Sequence, residues 1–186
     1  MFHWNLSIRS FIFVADPPRL GPHNKYRIFD ATPWTWTRGL VEPIYHIKLN
    51  VSTPAPMELS PKTRSWLAFE GSITGLTPTG AININTTRSN YYTEIPADYR
   101  HANIEICGHV IRHEFENNSC CTVSIRAVPD LHLVLYPGTE SVKCSLSQSS
   151  AGQTMWISGF IIQKKHGTFD VEVKTVILDQ EKEPCL

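Results

Sequence analysis

"MWISGFIIQKKHGTFDVEVKTVIL", residues 155–178, reads as two strands, near 155–164 and 168–178, joined by a turn at His166-Gly167. Met155, Ile157, Gly159 and Ile161 fall on alternate positions, and a period of two puts them all on one face of a strand. A glycine in that row is unexpected. It fills a core-facing position with no side chain, which weakens packing unless the backbone bends there or another segment comes close.

The same template occurs twice more, as Leu67-x-Phe69-x-Gly71-x-Ile73 and Ile104-x-Ile106-x-Gly108-x-Val110. Strands that wrap a small core use glycines or bulges where they turn, so the three copies predict a curved, barrel-like sheet. Working outward, period-two patterns predict further strands near 66–76, 81–87, 103–113, 121–128, 131–136 and 142–146. Turn signals separate them: Thr77-Pro78-Thr79-Gly80, Glu116-Asn117-Asn118 and Pro137-Gly138. No window shows a sustained helical stripe. The best helix candidate is a short turn over 95–102, with Pro96 and Asp98 in its first turn. The class is therefore all-β, a curved antiparallel barrel or sandwich.

On those residues the chain resembles the OB-fold, a small five-stranded Greek-key barrel, over 65–178. The stretch between Glu114 and Met155 reads as additional strands that a minimal OB-fold does not need. The resemblance favours an OB-like Greek-key barrel over a sandwich. The domain reading is an arm over 1–64 packing on the core, a barrel over 65–178 and a polar tail over 179–186.

The arm is assigned from proline. Pro17, Pro18, Pro22, Pro33, Pro43, Pro54, Pro56 and Pro61 all precede residue 64, and each removes a backbone donor and restricts its predecessor. Aromatic and β-branched runs ("FIFV", "YRIF", "WTWT") nevertheless favour short strands or packing within it. Its clearest strand is "YHIKLNVS", with Ile47, Leu49 and Val51 on one face and Lys48 and Asn50 on the other.

The 186 residues are 41% hydrophobic and 18% charged, the composition of a folded globular chain. With 17 basic and 17 acidic side chains there is no global charge to draw nucleic acid or an anionic membrane, only scope for local patches. No apolar run approaches the roughly 18 to 20 residues that span a bilayer, and no membrane partner is expected. The five cysteines lack C-x-x-C spacing and are odd in number, which fits reduced thiols in the cytoplasm or nucleus. Asn5, Asn50, Asn85 and Asn117 begin glycosylation sequons, so a secreted carbohydrate-binding sandwich stays open as an alternative.

Two sets of residues are candidates for chemistry. Glu105, Cys107 and His109 share the second face of one strand, neighbours about 7 Å apart, and Cys107 with His109 has the makings of a thiol–imidazole pair. They carry the alternative of a small β-barrel enzyme or metal-dependent protein, although one strand supplies only part of a ligand set. No metal or other cofactor is expected, and no nucleophile elbow or phosphate-binding loop is present. The second set is aromatic and basic: Trp34, Trp36 and Arg38 in one row, Arg88 with Tyr91 and Tyr92, and Lys164 and Lys165 at the hairpin tip. Single-stranded nucleic acid is held by stacking on aromatic rings and by cations along the backbone. Alternatively the tryptophans anchor the arm. The expected function is a non-catalytic binding or adaptor module, with single-stranded nucleic acid or a protein partner in a barrel groove.

Overall fold

The structure is a computed structural model that describes residues 6–37, 40–45, 47–54, 64–95, 104–113, 121–124, 131–165 and 168–179. Its strands are β1 (Leu6–Val14), β2 (Arg19–Leu20), β3 (Tyr26–Ala31), β4 (Trp34–Thr37), β5 (Leu40–Pro43), β6 (Leu49–Pro54), β7 (Ser65–Leu76) and β8 (Ile82–Tyr92). They continue with β9 (Ile104–His113), β10 (Cys121–Ser124), β11 (His132–Pro137), β12 (Thr154–Lys165) and β13 (Thr168–Leu178). One α-helix, α1 (Glu140–Gln148), lies between β11 and β12. The all-β reading holds. Packing divides the chain into one unit over residues 7–105 and another over residues 1–6 and 106–186.

In the first unit β1 runs antiparallel to β7, β7 to β8 and β3 to β6, while β6 and β8 are parallel. With β1, β3, β6, β7 and β8 counted as strands one to five, this is the Greek-key order of an OB-fold, whose barrels are partly open. The opening lies between β1 and β3. A single bridge there, Ile12 to Pro33, replaces a ladder. Ile8, Ile12, Phe29, Leu49, Val51, Leu67, Phe69, Ile82 and Ile84 fill the interior.

The second unit repeats the order with β9 to β13. β9 pairs with β10 and β10 with β11, both antiparallel; β11 is parallel to β13; β13 is antiparallel to β12, and β12 returns to β9. This ring of pairings comes back on itself. Its core contains Ile106, Val110, Leu133, Leu135, Met155, Ile157, Phe169, Val171 and Val173. Helix α1 joins the third strand to the fourth.

The chain therefore holds two OB-like units, where a single barrel over 65–178 behind an arm was expected. The difference comes from the first 64 residues, which supply β1, β3 and β6 of the first unit. Their prolines punctuate strands without preventing them: Pro17, Pro18 and Pro22 lie in the connection from β1 to β3, and Pro43 and Pro54 are the last residues of β5 and β6. An edge or terminal position is where a strand tolerates a missing donor. The extra strands between Glu114 and Met155 are likewise the second and third strands of the second unit.

The strand expected at 142–146 is helical. Val142 and Leu146 are buried four residues apart, which is one helical turn as well as two strand periods. Thr139 decides between them as the N-cap, its Oγ1 accepting from Val142 N at 3.3 Å, with Glu140 in the first turn. At the other end Arg112 of β9 brings Nη1, with its two hydrogens, among Leu146 O (3.1 Å), Ser149 Oγ (2.8 Å) and Ser149 O, adding a cation to the cap in which Ser149 N (3.3 Å) and Oγ (2.6 Å) already donate to Leu146 O. The strand expected over 121–128 is seen as β10 up to Ser124, and the helix candidate at 96–102 lies outside the described residues.

Gly71 and Gly159 occupy the same place on the fourth strand of each unit, and the ladder shifts register beside each one. A Cβ on Gly71 would stand 2.5 Å from Asn85 O and 2.8 Å from Thr86 Cα; on Gly159 it would strike Glu172 O and stand 2.9 Å from Val173 Cα. The neighbouring backbone occupies the space a side chain needs. Gly108 meets the template differently, with φ of +153°, a conformation L-residues rarely adopt.

Candidate functional site

On β3 the buried Phe29 sets the inner face, so Tyr26, Ile28 and Asp30 point outward. On β6 Leu49, Val51 and Thr53 are buried, leaving Asn50 and Ser52 on the outside. The antiparallel register places Asp30 opposite Asn50, and Asn50 Nδ2 donates to Asp30 Oδ1 at 2.5 Å. β2 adds a third strand to this face. Its Arg19 stands opposite Ile28 and donates from Nε (2.8 Å) and Nη2 (2.5 Å) to the other oxygen, Asp30 Oδ2. Nearby, Lys48 Nζ donates to Thr32 Oγ1 at 2.6 Å.

Two cavities meet at this cluster. One, of about 480 Å³, extends to Phe13, Trp34, Pro43 and Tyr45, where the ring is open between β1 and β3. The other, of about 630 Å³, extends past Lys48 and Asn50 to Thr77, Pro78 and Thr79 in the loop between β7 and β8. Both are lined by Arg19, Asp30, Ala31 and Thr32. The result is a groove across the second and third strands, flanked by the loops that follow the first and fourth strands. That is the face with which OB-folds bind oligonucleotides and oligosaccharides. It carries two cations, Arg19 and Lys48, two carboxylates, Asp16 and the doubly held Asp30, and, at one end, Tyr45, which is 75% exposed.

Of the residues expected from sequence, Trp34 reaches this groove. It also anchors: its ring lies 5.3 Å from Trp66 and 6.4 Å from Phe13, both edge-on. Trp36 lies in β4 opposite Val41, but its indole is outside the described residues, as is all of Arg38. Arg88 is exposed on β8 opposite Glu70 and lines neither cavity. Tyr91 packs 6.5 Å from Phe29; burial raises its pKa, opposed by a hydrogen bond and the charge of Arg27. Tyr92 is half-buried opposite Trp66. Lys164 and Lys165 end β12 in the second unit, with side chains outside the described residues.

Glu105, Cys107 and His109 lie half-exposed on β9, and His109 Nε2 is 3.8 Å from Asp179 Oδ2. Among the described residues no three His, Cys, Asp or Glu side chains group so as to hold a metal ion. No described helix is long and apolar enough to cross a membrane.

Arg19, Asp30, Tyr45, Lys48 and Asn50 were not among the sequence candidates. Lys48 and Asn50 had a legible signal, the polar face of "YHIKLNVS". Arg19 and Asp30 had none, because only the pairing of β2 with β3 brings them together.

No family model and no curated protein sequence matches the chain. Among solved structures it is similar to a deletion variant of the single-stranded DNA binding protein from Thermus aquaticus, with a TM-score of 0.59 and 10% identity, covering 98% of this chain and 97% of that one. The wild-type protein from the same organism gives a TM-score of 0.56 and 10% identity over 97% and 95% of the two chains. At this identity the likeness is one of fold, and it extends over both OB-like units.

Proposed function

We propose that the protein is a non-catalytic module that binds single-stranded nucleic acid along the groove of the first unit. The observation that carries the reading is the joining of the two cavities across β3 and β6, with Arg19 and Lys48 beside the path and Tyr45 and Trp34 at one end. Cations along a groove hold phosphates, and exposed aromatic faces stack bases irrespective of sequence. The similar solved structures are of a protein that binds single-stranded DNA, which supports the same ligand class. A chain with no net charge gains little long-range steering, so binding rests on local contacts and falls with salt. The cytoplasm and nucleus are the compartments that offer such a ligand.

The test is a fluorescence titration with a mixed-sequence single-stranded oligonucleotide of about 12 nucleotides, within the span of one OB-fold. Quenching of tryptophan emission, weaker affinity at higher salt, and loss of affinity in the double variant Arg19→Met, Lys48→Met are expected. Undiminished binding by that variant moves the interface elsewhere, and no binding at low salt ends the reading.

A further inference from the structure

The proposed groove has a carboxylate at its centre, which is a poor choice for a surface that only holds phosphates. Asp30 is half-exposed, lines both cavities, and is fixed from two sides by Arg19 on Oδ2 and Asn50 on Oδ1. A phosphate passing over it is repelled, so the backbone of a bound strand runs to the flanks, towards Lys48, and a base falls over Asp30. Each carboxylate oxygen has two lone-pair directions; Arg19 takes both on Oδ2, and Asn50 takes one on Oδ1, so a base edge can still donate to Oδ1. Arg19, held beside it, presents donors to an acceptor on the same base.

Resting on the nucleic-acid reading above, we propose that Asp30, positioned by Arg19 and Asn50, is a specificity residue that favours bases with an exocyclic amine and disfavours thymine and uracil. An Asp carboxylate accepts from the N4 amine of cytosine. Cytosine also offers N3 and O2 as acceptors for Arg19. Uracil has O4 where that amine would be, and its one edge donor, N3–H, lies between O4 and O2, so a carboxylate that accepts from it stands against two oxygens. Cytosine and uracil are both pyrimidines and stack through similar rings, which isolates the edge as the difference.

The experiment compares homopolymeric deoxycytidine and deoxyuridine oligonucleotides of equal length at one neutral pH and salt concentration, with the wild-type protein and with Asp30→Asn. The wild type is expected to bind the cytidine strand about 5- to 10-fold more tightly, within the range of a single base-edge contact. In Asp30→Asn the ratio falls towards one, because an amide can donate to O4 as well as accept from N4. Equal affinity of the wild type for both strands overturns the proposal while leaving nucleic-acid binding intact. So does a variant that binds both strands more tightly by the same factor, since the carboxylate then acts only by repelling phosphate. Failure of the wild type to bind either strand overturns this proposal together with the reading beneath it. The wild-type ratio decides even if the variant folds poorly.

Discussion

The first barrel leaves its ring open between β1 and β3, where Ile12 and Pro33 share one bridge, whereas the second pairs the corresponding strands, β9 and β10, through Thr122–His113, Val123–Arg112 and Ser124–Ile111. Near its opening the first barrel has rings: Trp66 lies 5.6 Å from Phe11, 5.0 Å from Phe13 and 5.3 Å from Trp34. The second has a backbone ladder and a helix tied to β9 by Arg112. Packing by side chains leaves concave space that a ladder would fill. The 480 Å³ cavity opens beside those rings. One strand order thus serves in two ways, and the difference between them can be tested.

The largest effect should come from what the barrels share. Gly71→Val and Gly159→Val each force a side chain into the backbone of the facing strand, and each should cost about 3 kcal/mol, the upper end of overpacking penalties. Denaturant unfolding of the two variants measures this. Similar losses uphold the equivalence of the two fourth strands; a neutral Gly159→Val would break it and remove the account of the glycine template. Arg112→Met comes next. It strips the end of α1 of the cation that reaches Leu146 O and Ser149 and should destabilise the second barrel by about 2 kcal/mol, the scale of hydrogen bonds to a charged group. Amide exchange should locate the loss at α1 and β9, and protection lost from β3 and β6 instead would contradict it.

A smaller and more local effect is expected at the open end of the first barrel. Tyr45 is mostly exposed, so Tyr45→Ala should leave the unfolding midpoint within about 0.5 kcal/mol of wild type. If its ring stacks a base, affinity for a single-stranded oligonucleotide should fall by about 1 to 3 kcal/mol. Unchanged affinity would confine the interface to the cations.

The strands were legible where burial alternates. β7, β9, β11, β12 and β13 follow the period of two to within about a residue, and Gly71 and Gly159 share one template, which the pairing of strands then places at equivalent positions in two barrels. What period two could not supply was partnership. β1, β3 and β6 carry the same alternation, yet among frequent prolines they read as an arm, because whether a proline sits inside a ladder or at its end depends on the neighbouring strand. Helix α1 was hidden by the coincidence that a spacing of four satisfies both periods, although Thr139 and Glu140 were a readable cap. The groove was the least legible part. Asp30 gains its meaning from Arg19 and Asn50, one on each neighbouring strand, and nothing in the spacing of those three residues selects them. Trp34 was found because aromatic residues are conspicuous one at a time.

The smallest effect concerns Tyr91, a sequence candidate for stacking that packs near Phe29 beneath the binding face. Burial raises its pKa above the ordinary 10.0, and the hydrogen bond and charge of Arg27 oppose but do not cancel that shift. Below pH 10 the phenol is neutral in both the folded and the unfolded chain, and its contribution to stability is whole. As the pH rises through the folded pKa, the unfolded chain has already released its proton while the folded one resists, so the contribution is lost. Tyr91→Phe removes the titrating group. At neutral pH it should change stability by no more than about 1 kcal/mol, the net worth of one hydrogen bond, and its stability should decline less steeply than wild type above pH 10. Parallel alkaline profiles would show that Tyr91 is solvated like a free phenol. It would then be available to a ligand, and the first barrel would have a wider aromatic surface than Tyr45 and Trp34 provide.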